Sequence, residues 1–81
     1  SSAEFLTIDE GLCVQIMHLG LFDEEPATVA IMDAYLSENG YVNDMNEKRL
    51  HHEIYMSDVR KVAPEKWKTV IRHPIKKAEL Q

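Results

Sequence analysis

A chain of 81 residues with 44% hydrophobic and 28% charged side chains has room for one domain, and this make-up excludes a disordered or membrane-embedded segment. Its formal charge of −5 argues against nucleic-acid binding, which leaves a basic stripe, and mildly favours cationic partners. A single cysteine, Cys13, allows no internal disulfide and fits a reducing, cytoplasmic setting, and no run approaches the ~18–20 apolar residues that span a bilayer.

Phe5-Leu6-Thr7-Ile8 is a short apolar lead-in, and Asp9-Glu10-Gly11 signals a turn. Leu12 to Leu19 reads as a strand with Val14, Ile16 and His18 on one face and Cys13, Gln15 and Met17 on the other. Gly20 to Asp23 closes it, and Asp23 is a good N-cap for a helix whose first turn holds Glu24, Glu25 and Pro26. That helix runs to about Asn39, with Val29, Met32 and Leu36 as a buried stripe widened by Ile31 and Tyr35, and Asn39-Gly40 stops it. Tyr41-Val42 starts an extended segment that dissolves into a polar connection over residues 43–49, which reads as exposed and mobile.

Leu50 to Ser57 is the second long strand and carries the chain's most informative stretch, His51 to Asp58. Alternation puts His51, Glu53, Tyr55 and Ser57 on one face and His52, Ile54 and Met56 on the other, which reads as core. A carboxylate beside a phenol suits a pocket for an amphipathic, preferably cationic, ligand, because the ring supplies apolar area and the acid supplies charge. The competing reading is a solvated sheet face. Asp58 to Ala63 is a charged turn, Pro64 opens a short helical turn through Trp67, and Thr69 to Ile75 is the third strand. A charged tail covers residues 76–81, and residues 1–81 form a single domain.

The order is strand, helix, strand, strand. This predicts an α+β unit in which one long helix covers one face of a small, mostly antiparallel sheet. The polar face of Glu53 is then expected on the side the helix leaves open.

His18, His51, Glu53 and His73 lack a recognisable zinc spacing, so no metal and no cofactor is expected. Cys13 reads as a small buried hydrophobe, and Met32 and Met56 as core filler. Met17 is the better pocket candidate, since it shares a face with Gln15. Trp67 fits either the edge of the core or a pocket wall. Arg72 would neutralise Glu53 if both shared a face, but Val70 and Ile71 leave its parity open.

The strings Gln15-Ile16-Met17-His18-Leu19-Gly20, Phe22-Asp23-Glu24-Glu25-Pro26-Ala27-Thr28, His51 to Asp58, and Ala63-Pro64-Glu65-Lys66 into Thr69 to Ile75 together resemble the GyrI-like small-molecule-binding domain. The likeness runs from about Phe5 to Lys77. It implies a strand-helix-strand-strand unit that occurs twice around a ligand cleft, with this chain similar to the C-terminal half alone. It also implies that Glu53 is the pocket acid facing cationic or electrophilic ligands and Tyr55 the aromatic beside it, with His51, Met17, Trp67 and Phe22 as further ligand-binding candidates. Leu21 stands where the family often has proline, Phe22 where it often has tyrosine, and Trp67 where leucine is common.

Three functions follow. The first is binding of amphipathic, cationic small molecules, as the effector-binding domain of a transcription regulator or by drug sequestration. The second is hydrolysis of strained cyclopropane rings in genotoxic compounds, with Glu53 and Tyr55 catalytic; the chain is expected to be a binder rather than an enzyme. The third is a protein-interaction module docking through the open sheet face. The expected partners are a small molecule and either a second copy in a homodimer or a missing N-terminal half. The start at Ser1-Ser2-Ala3, without an initiator methionine, fits a mature form or a fragment of something longer.

Overall fold

The computed structural model describes residues 3–8 and 11–78. Among these, alternating apolar positions and turn residues build five strands and one α-helix: β1 (Ala3–Ile8), β2 (Gly11–Leu19), α1 (Glu25–Glu38), β3 (Tyr41–Asn43), β4 (His52–Tyr55) and β5 (Lys68–Lys77). Single 3-10 turns at Phe22–Glu24 and Pro64–Lys66 lead into α1 and β5. This is the expected α+β unit, a mostly antiparallel sheet with one long helix. The lead-in is a full edge strand, paired with β2 from Ala3↔Ile16 to Ile8↔Gly11. Asp9 and Glu10 of the anticipated turn lie outside the described residues, as do residues 79–81 of the charged tail.

β5 is the organising strand. One edge pairs with β2, from Cys13↔Pro74 to Leu19↔Lys68, and the other carries β4 and β3 end to end, at Tyr55↔Thr69 to His52↔Arg72 and Asn43↔Ile75 to Tyr41↔Lys77. Pro74 has no amide to donate, and it stands just where the β2 ladder ends and β4 hands over to β3. α1 joins β2 to β3 across the intervening β5 and packs on β2 and β3. This is a split β-α-β arrangement.

The core lies between helix and sheet: Val14, Ile16, Ile71 and Ile75 below, Met32 and Leu36 above. Phe5 extends it, with its ring 5.1 Å from Tyr35 and 4.8 Å from Tyr41. Ile31 does not widen the buried stripe. It sits one residue, about 100° of helix, before Met32 and is 52% exposed.

The N-cap of α1 is Glu24 and not Asp23, and no side chain caps the helix start. Pro26, with its preset φ, and the acids Asp23, Glu24 and Glu25 at the positive helix end remain as the initiating features. Gly40, at φ +78°, ends the helix and donates its N–H to the Ser37 carbonyl.

One strand reading is corrected. The second long strand shrinks to His52–Tyr55, and Ile54 and Met56 are not core, being 38% and 60% exposed. In the 43–49 connection, residues 45–48 are exposed as expected, while Arg49 bonds Asp44 at 2.9 Å and the Leu12 carbonyl at 2.7 Å, and Asn46 Oδ1 accepts from the Lys48 and Arg49 amides. Among the described residues, no helix is long and apolar enough to cross a membrane.

Candidate functional site

Opposed residues of an antiparallel ladder share a sheet face. Ile16 pairs with Ile71 and Ile71 with Glu53, so Glu53 lies in the core-facing row. By the same register Tyr55 follows His18 and Thr69, and His51 stands against His73. The polar face of β4 is therefore on the helix side of the sheet, contrary to the sequence expectation. β4 escapes full burial because α1 covers β2 and β3, leaving β4 beside the start of the helix. The other face carries His52 and Ile54, in rows with Arg72 and Val70.

That register settles the parity of Arg72. It lies on the face opposite Glu53 and bonds Gln15 Oε1 at 2.9 Å and 3.2 Å, so it does not neutralise the acid. Met17 shares the Arg72 face, opposite Val70, and is not brought to Glu53. The other five candidates do converge on the helix side. Phe22, just before α1, stacks on Trp67 at 4.9 Å and meets Tyr55 edge-on at 5.5 Å. Tyr55 Oη donates to Glu53 Oε2 at 3.3 Å, and His51 Nε2 lies 3.7 Å from the same oxygen. Trp67 is both edge and wall: Nε1 donates to the Val62 carbonyl at 2.8 Å while its ring face carries Phe22.

Glu25 is the residue that the sequence reading passed over as a helix-start acid. It hydrogen-bonds Glu53, and its Oε2 is sealed from solvent with no donor among the described residues. Burial, and then the bond to and charge of Glu53, push its carboxyl up to about 7, against the opposing pull of His18. Glu53 moves the other way: the bond from Glu25 holds it below the usual carboxylate range, helped by Tyr55 and by His51 when that ring carries a proton, and opposed by its own burial. Below about pH 7 the pair thus holds one proton, on Glu25, and presents Glu53 as the anion. The charge of Glu53 in turn raises Tyr55, which stays a neutral donor.

His18 has a structural task. Its Nε2 lies 2.7 Å from the Leu21 carbonyl and so carries the proton, while Nδ1 lies 2.6 Å from the Thr28 hydroxyl, pinning the turn and helix to β2. Among the described residues, no group of three or more His, Cys, Asp or Glu side chains is placed to hold a metal ion. The site's chemistry is that of an anion set against a half-exposed aromatic wall.

The sequence profile of a family described as the GyrI-like small molecule binding domain matches residues 1–76. No curated protein matches the chain. Among solved structures, the chain is similar to an uncharacterized conserved protein from Listeria innocua, with 51% identity and a TM-score of 0.81. That match covers 85% of this chain and 34% of the other. It is also similar to a hydrolase from the same organism, with 48% identity and a TM-score of 0.79, covering 85% of this chain and 35% of the hydrolase. The chain spans about a third of the length of these relatives.

Proposed function

The chain belongs to the GyrI-like small-molecule-binding domain family, and from that premise we propose that Glu53, Tyr55, Phe22 and Trp67 bind amphipathic organic cations, with His51 beside the acid, for effector sensing or sequestration. The observation that carries this reading is the continuous wall Trp67–Phe22–Tyr55, ending in a hydroxyl bonded to an ionised Glu53. The rings take the apolar body of a ligand and the carboxylate takes its charge.

A cation over an aromatic face is worth about 0.5–1 kcal/mol when exposed and about 2 kcal/mol or more when desolvated. Tyr55 is 60% and Phe22 40% exposed, so the wall by itself supports weak binding. Tight binding calls for a facing wall. We read the chain as one strand-helix-strand-strand unit whose cleft is closed by a second unit, in the same polypeptide or in a second copy.

The test is titration calorimetry with benzyltrimethylammonium and its neutral tert-butyl isostere. Glu53→Gln is expected to weaken the cation about tenfold or more, the order of losing one close unlike charge from a partly desolvated site, and to leave the neutral compound little changed. Equal loss for both compounds would overturn the reading.

A second reading, hydrolysis, is favoured by the Tyr55–Glu53 bond together with the similarity to a hydrolase from Listeria innocua. Glu53 would activate water while Tyr55 donates a proton to the carbon or heteroatom that leaves a strained ring, as in a cyclopropane-bearing alkylator. Mass spectrometry of such a compound after incubation checks it. Absence of a water-added product would remove this reading.

A further inference from the structure

Behind Glu53 the polar groups form a directed chain that the ligand-binding reading does not use. His51 Nδ1 lies 2.6 Å from His73 Nε2, His73 Nδ1 lies 3.2 Å from Asn43 Oδ1, and Asn43 Nδ2 donates to Asp33 Oδ1 at 3.1 Å. The direction is imposed from the Asp33 end. An ionised carboxylate only accepts, so the Asn43 amide gives its NH2 to Asp33 and turns its carbonyl to His73. That carbonyl takes the proton of His73 Nδ1, which leaves Nε2 of a neutral His73 bare. Burial and then the charge of His51 favour the neutral form of His73, although Asp33 opposes them.

A bare His73 Nε2 must accept from His51 Nδ1–H. Neutral His51 then keeps its lone pair on Nε2, the atom 3.7 Å from Glu53 Oε2. Because the Asn43 amide has no labile proton to pass on, the chain orients the rings and conducts nothing.

We propose that His51 is a positioning residue of the Glu53 site, held by Asp33, Asn43 and His73 with its Nε2 lone pair towards Glu53, so that a proton taken up there ties Glu53 into an ion pair and withdraws it from a cationic ligand. The inference rests on the ligand-binding reading and names its regulation. The titratable groups around His51 are Glu53 and Tyr55 on its own segment, His73 from β5, and Asp33 and Glu25 from α1. Of these, Glu25 changes charge near neutral pH and must be separated from His51.

Two measurements test it. In long-range proton–nitrogen spectra at pH 8, wild-type His51 and His73 are both expected as Nδ1–H tautomers, the minor form of free histidine. Asp33→Asn is isosteric and lies on a half-buried helix position, but it removes the acceptor-only end. It is expected to let Asn43 turn over and to move His51 Nε2 from the pyridine-like to the pyrrole-like range. A wild-type His51 protonated on Nε2, or tautomers unchanged in Asp33→Asn, overturns the chain.

The second measurement is benzyltrimethylammonium affinity in a Glu25→Gln background, which silences Glu25. Affinity is expected to fall about fivefold or more from pH 8 to pH 5.5, the scale of an ordinary coupling between sites, and to lose that fall when His51→Gln is added. A fall that survives His51→Gln overturns the positioning role. No binding to wild type, with the tautomers as stated, sinks the ligand reading; binding with the opposite tautomers sinks only the positioning role.

Discussion

Glu25 and Glu53 show how two chemically identical side chains take opposite states a bond apart. Glu25 has an oxygen closed off from water and no donor for it among the described residues, so keeping a proton is less costly than desolvating a second charge. Glu53 receives that proton's hydrogen bond and the one from Tyr55, so it stays ionised. The stability consequence has a definite sign. A carboxyl raised from 4.5 to about 7 in the fold contributes stability that is complete below 4.5 and lost as pH rises through about 7. Glu25→Gln removes that loss. Its melting temperature is expected to exceed that of wild type by a few degrees at pH 8, with the gap closing as pH falls below 7. A constant gap from pH 5 to pH 8 in thermal denaturation would mean that Glu25 does not carry the shared proton.

At the scale of elements, β5 and the two ends of α1 decide where the site forms. β5 presents Thr69, Ile71 and His73 on one face, and each strand paired with it inherits that parity. This is why β4, only four residues long and half exposed, still aims Glu53 at the helix start. The other end of α1 depends on Gly40, whose φ of +78° lies in the left-handed region, with open space where a Cβ would go. Gly40→Ala therefore meets strain without collision. It is expected to cost about 1–2 kcal/mol and roughly 4–8 °C or more in melting temperature, read by circular dichroism. An unchanged melting temperature would mean that the turn tolerates a side chain by moving. At Gly20, by contrast, φ is +115° and a Cβ would also press on Glu24 Oε2 at 3.2 Å.

For the whole molecule, the small core and the site share one set of elements. Met32 and Leu36 close the core from α1, while the first turn of the same helix supplies Glu25. Met32→Ala is expected to remove about 2–5 kcal/mol, a large share of the ~4–12 kcal/mol that a domain of this length commands. Urea denaturation checks this, and an unchanged midpoint would contradict the packing described. The sequence alone was enough for the strand-helix-strand-strand order, the helix stop at Asn39-Gly40, the Val29, Met32 and Leu36 stripe, and the grouping of His51, Glu53 and Tyr55 on one strand face. Those features are local, set by side-chain period, turn chemistry and backbone freedom. Which way that face points, where Arg72 and Met17 fall, and the meeting of Glu25 with Glu53 and of His51 with His73 were decided only by the tertiary structure. Each depends on how elements far apart in sequence come together, and a shift of one residue in β5 would turn Arg72 and His73 to the opposite faces of the sheet.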